Sequence, residues 1–350
     1  MDTDFGPFKV DYSIPSRINY DIRTLKKFIE KDPEAGIIFY GGEPLLCIDE
    51  IEKIMDSIRA KHFIIQTNGL YLDKIKPEYL ERFSTIFVSI DGDEELTDYY
   101  RGRGVYRKII ENLRSLRRRG FKGEVIARMT VMEETDIYRQ VLWLLNNPEY
   151  RFFSVHWQID AGFWRSDIPE RISKFRKWIK ESYNPGIRRL IRFWIEQMEK
   201  TGRVLRIYPF LAIMDSLLKG EKSLLRCGSG WANYSIQTDG HIIPCPIMNG
   251  MQDFYLGHIS EANPLKLKKI YVGEPCVSCS IYHECGGRCL YANLTKRWPS
   301  EAYNLVCRTV KNLIGSLKIW LPKVKNLMSI GKISQSSFKY VKYNSCEVIP

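Results

Sequence analysis

The chain has 350 residues, of which 44% are hydrophobic and 27% charged, with 53 Lys and Arg against 41 Asp and Glu for a formal net charge of +12. This composition excludes wholesale disorder and collagen-like repeats, and the length can bury a substantial core in one large domain with an appendage, or in two domains. No apolar run reaches the about 18 residues of a membrane span, and the opening MDTDFGPFKVDY lacks a basic region ahead of an apolar stretch, so neither a transmembrane segment nor a secretory signal is expected. The basic excess is spread over expected helices (Arg114, Arg117, Arg118, Arg119; Lys266, Lys268, Lys269), as on solvated faces, a surface for polyanions or acidic peptides being its other use.

In chain order, Asp21–Lys31 is expected as a helix, Gly36–Gly42 (GIIFYGG) as a buried strand, Ile48–Ala60 as a helix and Phe63–Gly69 (FIIQTNG) as a second strand. Thr85–Asp91 (TIFVSID) reads as a third strand, Tyr106–Arg119 as a helix, Glu124–Val131 as a fourth strand, Asp136–Leu145 as a helix and Phe152–Asp160 as a fifth strand. Apolar runs bounded by turn residues and separated by amphipathic helices indicate βαβ units and a parallel sheet, closed into a barrel or left open. A helical stretch follows from Pro169 to about Lys219. Residues 227–307 show little periodicity and are rich in Gly, Pro and Cys; a basic amphipathic helix then covers about Cys307 to Met328, and a patternless tail closes the chain.

Polar and glycine residues gather at the same end of these strands: Gly41, Gly42 and Glu43, then Asn68, then Ser89 and Asp91, then Gln158 and Asp160. In parallel α/β folds the ligand site lies at the C-terminal ends of the strands. Such residues also start ordinary loops, and position alone does not separate the two readings.

The cysteines are unevenly distributed. Of nine, only Cys47 precedes Cys227; seven lie between Cys227 and Cys307, and Cys346 is near the end. Cys227 is followed after twelve residues by Gly240 and after four more by Cys245; then come Cys276-x2-Cys279-x5-Cys285-x3-Cys289 and, after seventeen intervening residues, Cys307. Disulfide scaffolds belong to small secreted domains, whereas clustered CxxC spacing in a long chain without an export signal indicates metal. Gly286 and Gly287 permit the tight backbone that wrapping a centre needs. Four soft thiolates suit zinc or an iron–sulfur cluster, and spacing does not choose between them.

This pattern resembles the SPASM domain of radical S-adenosylmethionine (SAM) enzymes, spacing for spacing. FYGGEPLL (Phe39–Leu46) is similar to that family's GGEP motif, and QTNG (Gln66–Gly69) and SIDG (Ser89–Gly92) resemble its next two strand endings. The resemblance covers about residues 30–310 and is nearest to an archaeal set of peptide-modifying radical SAM/SPASM proteins. It implies an α/β fold: a partial (β/α)6 radical SAM barrel with a helical extension over residues 1–220, a Cys-rich SPASM iron–sulfur domain over 221–310, and a C-terminal helix and tail over 311–350. It further implies that SAM and two auxiliary 4Fe-4S clusters are cofactors, with Cys227, Cys245 and Cys289 at auxiliary cluster I and Cys276, Cys279, Cys285 and Cys307 at auxiliary cluster II. The fourth ligand of cluster I stays open; Cys47 and Cys346 are lone cysteines, a type more often buried as a small apolar residue.

The resemblance also assigns roles around SAM. Gly41, Gly42 and Glu43 would hold its methionine end, Asn68, Ser89 and Arg128 its ribose and carboxylate, and Gln158 would border adenine or substrate. Arg128 reads equally as a strand-end ion pair. Asp91 and Asp160 are candidates for proton or hydrogen-bond roles, and His156 and His241 read as structural. The implied activity is hydrogen abstraction by a 5′-deoxyadenosyl radical from a peptide or protein substrate. It would take place in the cytoplasm, with a reductant such as ferredoxin or flavodoxin and no membrane partner.

The family also carries a CxxxCxxC loop ahead of GGEP. Here no cysteine precedes Cys47, and Met1–Asp11 has no apolar run of strand length. Both gaps fall at one place, so a chain beginning too late, by truncation or a mis-called start, is the economical expectation; loss of activity would change the cysteines and leave the strand. The alternative is a non-catalytic iron–sulfur electron-transfer or binding protein on a degenerate barrel. A zinc-dependent nucleic-acid module, suggested by the charge and by Trp231 and Tyr234, is disfavoured, because zinc knuckles are smaller and need no preceding sheet.

Overall fold

The computed structural model describes residues 7–163, 168–344 and 349–350. Its first half delivers strands and helices in alternation: α1 (Ile22–Ile29), β1 (Ile37–Phe39), α2 (Ile48–Ser57), β2 (Phe63–Thr67), α3 (Pro77–Leu80), β3 (Phe83–Ser89), α4 (Glu94–Arg101), α5 (Val105–Arg118), β4 (Glu124–Val131), α6 (Ile137–Asn146) and β5 (Ser154–Ile159). Then follow α7 (Ile168–Trp178), α8 (Asn184–Thr201), β6 (Arg206–Ile207) and α9 (Tyr208–Lys219). Helix starts are chemically marked. Asp21, Asp93 and Asp136 each accept a backbone N–H of the helix they precede, satisfying a donor that has no partner within the helix.

The six strands form one sheet in the order β1-β2-β3-β4-β5-β6, and every neighbouring pair is parallel. One face is apolar over most of its length: Ile65, Ile86, Val88, Val125, Ala127, Met129, Val155, Trp157 and Ile159 are buried in the main core with the helices. The other face is layered, because the register aligns like with like. At the bottom, Glu124 accepts from Ser154 Oγ (2.5 Å), Arg206 Nε (2.7 Å) and the Tyr208 hydroxyl (2.7 Å). Above it Ile64, Phe87, Ile126 and Tyr208 make a small separate core.

Three sequence expectations need correction. The sheet has six strands rather than five, because Arg206–Ile207 pairs with β5 inside the stretch expected to be helical. A strand of two residues is too short to show a period. Lys266, Lys268 and Lys269 are not on a helix, since only a single 3-10 turn, Pro264–Lys266, forms there. Arg117 and Arg119 are not simply solvated: Arg117 donates to the Phe121 carbonyl (2.9 Å) and Arg119 to that of Leu72 (3.1 Å), tying α5 to neighbouring loops.

Beyond the sheet, β7 (Ser235–Ile236) and β8 (Ile242–Ile243) form an antiparallel hairpin, followed by α10 (Tyr282–Cys285), α11 (Leu290–Thr295) and α12 (Ser300–Ser329). A second core of Leu225, Cys245, Met248, Met251, Val272, Leu290 and Tyr291 sits here. The helix α12 starts at Ser300, ahead of the expected Cys307, and packs on α7, α8 and α9. Gly286 and Gly287 both take positive φ, and a Cβ on Gly286 would run into the Leu224 carbonyl. Among the described residues no helix is long and apolar enough to cross a membrane.

Candidate active site and cysteine centres

The layered face of the sheet ends, at the C-terminal ends of the strands, in polar side chains. Continuing upward from Ile64, Phe87 and Ile126, strand alternation places Gln66, Ser89, Arg128, His156 and Gln158 on this face. Ser89 is in register with Arg128, Arg128 with His156, and Thr130 with Gln158. Arg128 Nη2 donates to Gln158 Oε1. An apolar floor under a polar upper layer is how a parallel barrel builds a site at one end while packing the other.

Glu43 joins the loops after β1 and β2. Its Oε1 accepts from the Thr67 hydroxyl (2.8 Å) and from Leu45 N (3.0 Å), and its Oε2 from Asn68 N (2.7 Å). Asn68 in turn receives Leu70 N on its side-chain oxygen (2.9 Å), so the second loop is fixed as well. Gly41 and Gly42 lie exposed just before Glu43, outside the positive-φ region, and a Cβ at either would meet no atom within 4 Å. The protein's own packing therefore does not require glycine here. The space that added methyl groups would take here is open to a ligand laid along this backbone.

The two aspartates are committed to protein partners. Asp91, 1% exposed, takes Arg101 through both oxygens (2.6 and 2.9 Å) and Thr130 N (2.8 Å). Asp160 accepts from Gly162 N (3.1 Å) and, with Glu133, from the buried Arg171 (3.2 Å each). His241 is paired through Nδ1 to Asp239 (2.8 Å) and lies far along the chain from the strand ends, in the turn before β8. A surface recess lined by Arg117, Lys122, Glu124, Phe153, Ser154 and Arg206 lies at the opposite, N-terminal end of the strands, away from the polar layer.

The cysteines between 227 and 307 separate into two groups. Burial raises the pKa of the Cys227 thiol, and the nearby Cys289 thiol adds to this; burial, then Cys289 and Cys227, raise that of Cys245. Burial pushes Cys285 up to about 12, with Cys276 and Cys307 contributing, and pushes Cys307 up to about 11, with Cys276 and Cys279 contributing. Like charges held together away from water need a positive centre before they can all ionise. Among the described residues no three His, Cys, Asp or Glu side chains close up enough to clasp a single metal ion. The thiols in each group influence one another's titration, and an all-thiol donor set is one that zinc or an iron–sulfur cluster accepts.

Several contacts were not visible in the spacing. The Tyr303 hydroxyl lies 3.0 Å from Cys276 Sγ, Ser229 Oγ 3.2 Å from Cys227 Sγ, and Ala292 N donates to Cys289 Sγ (3.5 Å). Arg288 lies between the two halves: its guanidinium reaches the Ile159 carbonyl at the end of β5 (3.4 Å), and its charge lowers the Cys307 pKa against the effect of burial. Cys47 closes a 3-10 turn after Glu43, apart from both groups in the chain, and Cys346 lies outside the described residues.

Residues 16–142 match the family model described as Radical SAM superfamily. An uncharacterized protein of Archaeoglobus fulgidus is 23% identical over 295 residues, covering 76% of this chain and 63% of that protein. The radical SAM cyclopropyl synthase TigE of Paramaledivibacter caminithermalis is 21% identical over 307 residues, covering 82% of this chain and 60% of that enzyme. The chain thus spans about three fifths of the length of these curated relatives. Among solved structures, native anSMEcpe with bound AdoMet and the Kp18Cys peptide superposes with a TM-score of 0.66 at 18% identity, over 87% of this chain and 90% of that one. The parallel sheet with its polar C-terminal layer, the GGEP loop and these matches together give the chain the α/β fold of the radical SAM enzymes, with residues 16–142 similar to the Radical SAM superfamily.

Proposed function

We propose that this chain is the SAM-binding and auxiliary-cluster part of a radical SAM/SPASM enzyme that modifies a peptide or protein. Residues 1–220 carry the barrel, 221–310 the SPASM segment and 311–350 the closing helix and tail. What supports the reading is the spacing of the seven cysteines from Cys227 to Cys307, together with the mutual influence of the thiols within the sets Cys227, Cys245 and Cys289, and Cys276, Cys279, Cys285 and Cys307. These would hold two auxiliary 4Fe-4S clusters. A peptide substrate is supported by the peptide bound in the solved structure of similar fold. We place the protein in the cytoplasm, with ferredoxin or flavodoxin as reductant.

Together, SAM and the clusters supply one-electron, hydrogen-abstracting chemistry when bound. The chain's own residues position and shield the reactants. Gly41 and Gly42 offer bare backbone to the methionine end, and Glu43 fixes that loop to the end of β2. Asn68, Ser89, Arg128 and Gln158 line the polar layer for ribose, carboxylate and adenine or substrate. Below them Ile64, Phe87 and Ile126 keep water out from beneath.

The test is metal content. The chain, reconstituted anaerobically with iron and sulfide, is expected to hold about eight of each, two cubes' worth. About four would leave one site unassembled, and zinc without iron would overturn the reading.

A further inference from the structure

We propose that Tyr303 is a positioning residue for auxiliary cluster II, its hydroxyl donating a hydrogen bond to the Cys276 thiolate and holding that cluster's reduction potential up. The inference rests on the cluster reading above and adds to it a residue that cysteine spacing does not reveal.

Tyr303 and Cys307 are four residues apart in the first turns of α12 and share one helix face. The segment carrying Cys276 docks against this face, bringing its Sγ to 3.0 Å from the Tyr303 hydroxyl. One helix thus presents a cysteine of the set and a donor to a second cysteine of the same set. A thiolate bound to iron has no proton, so in that state the hydroxyl must be the donor. Trp298 lies against the Tyr303 ring, with centroids 6.1 Å apart, which limits how far the phenol can swing.

The acceptor is held as firmly as the donor. Asn293 on α11 accepts from Gly273 N (2.7 Å), donates to the Gly273 carbonyl (3.1 Å) and lies 3.5 Å from Cys276 Sγ. It fixes the turn leading into Cys276. A hydrogen bond to a cluster sulfur withdraws electron density and favours the reduced, more negative state, so it raises the potential. In the other group the side-chain hydroxyl seen at a cysteine sulfur is that of Ser229, beside Cys227, and Tyr303 touches Cys276 alone of the seven. The effect of Tyr303 is therefore expected on one cluster only.

The experiment uses the full chain with both clusters reconstituted. Iron is counted first, and the two midpoint potentials are then read by EPR-monitored titration. Tyr303→Phe, which removes only the hydroxyl, is expected to keep its iron and to shift one midpoint to a more negative potential, leaving the other in place. Unchanged midpoints in an iron-replete variant would overturn the proposal. If Tyr303→Phe loses iron, the full chain with 3-fluorotyrosine at position 303 decides: its more acidic hydroxyl is a stronger donor, one midpoint is expected to move to a more positive potential with the other in place, and unchanged midpoints overturn the proposal. A wild-type chain that takes up no iron would overturn the cluster reading, and this inference with it, and is recognised before any potential is measured.

Discussion

The carboxylate of Glu43 and the backbone of Asn68 are joined at 2.7 Å across twenty-five residues of chain, so the loops after β1 and β2 form one unit. Removing the carboxylate leaves three donors, Leu45 N, the Thr67 hydroxyl and Asn68 N, without this acceptor. Glu43→Ala is expected to cost about 1–3 kcal/mol of stability and to weaken SAM binding, with iron content unchanged. Thermal unfolding and SAM titration check this. An unaltered melting temperature would mean that the hydrogen bonds do not hold the loops.

Cysteine replacement is expected to divide the iron. Cys279→Ser and Cys227→Ser should each lose about half of it, one from each cube. Cys47→Ser should lose none, because Cys47 caps a turn beside Glu43, outside both groups. Half the iron lost from Cys47→Ser would show that the grouping is wrong.

Asp91 and Arg101 form a largely buried pair, their side chains 2% and 22% exposed. Arg101→Ala strands a buried carboxylate whose other partner is Thr130 N. The expected cost is about 3–5 kcal/mol, the usual loss when one member of a buried pair is removed. Asp91→Asn combined with Arg101→Met should recover part of it. Urea denaturation of the single and double variants measures both values, and a single variant as stable as wild type would show that the pair contributes little.

Burial, reinforced by the Lys61 charge, holds the His62 imidazole below its ordinary pKa of 6.5. The folded state therefore binds this proton less readily than the unfolded chain. Stability from this group is complete above 6.5 and is lost as pH falls through that value toward the lower folded pKa. Melting temperatures compared between about pH 5 and 8 should fall on the acid side, and His62→Gln should flatten the fall. An unchanged slope in the variant would assign the pH dependence to other groups.

This 350-residue chain, given dithionite and SAM, is expected to make no 5′-deoxyadenosine, because its sequence has no three-cysteine loop ahead of GGEP. A version extended at its N-terminus by a strand and CxxxCxxC should make it, and Glu43→Ala in that version should slow it by loosening SAM placement. Sustained production by the shorter chain would show that another cluster performs the cleavage.

The strands were legible where alternation runs long enough. The expected strand Glu124–Val131 matches β4 to the residue, and the ends of β2, β3 and β5 lie within two residues of their expected bounds. The candidate layer was legible for a related reason: polar residues follow the apolar run on each strand, and parallel register brings them to one face. Contacts that need two distant loops to meet were not legible. Glu43 reaches Thr67 and Asn68 only because β1 and β2 pair in parallel, and the network of Glu124, Ser154 and Arg206 exists only through the registers of β4, β5 and β6. Tyr303 carried a signal that was missed, its four-residue spacing from Cys307 on a helix.

Because the six strands are laid down beside one another in chain order, each new strand finds its partner in the segment just synthesised. Every pairing joins consecutive strands, so the sheet can grow strand by strand while the rest of the polypeptide is still emerging. Cysteines 227 to 307 leave the ribosome after the last strand. On the cluster reading proposed above, metal loading would follow assembly of the sheet, and starving cells of iron should yield a collapsed α/β half with an immature, protease-sensitive C-terminal half rather than a wholly unfolded chain.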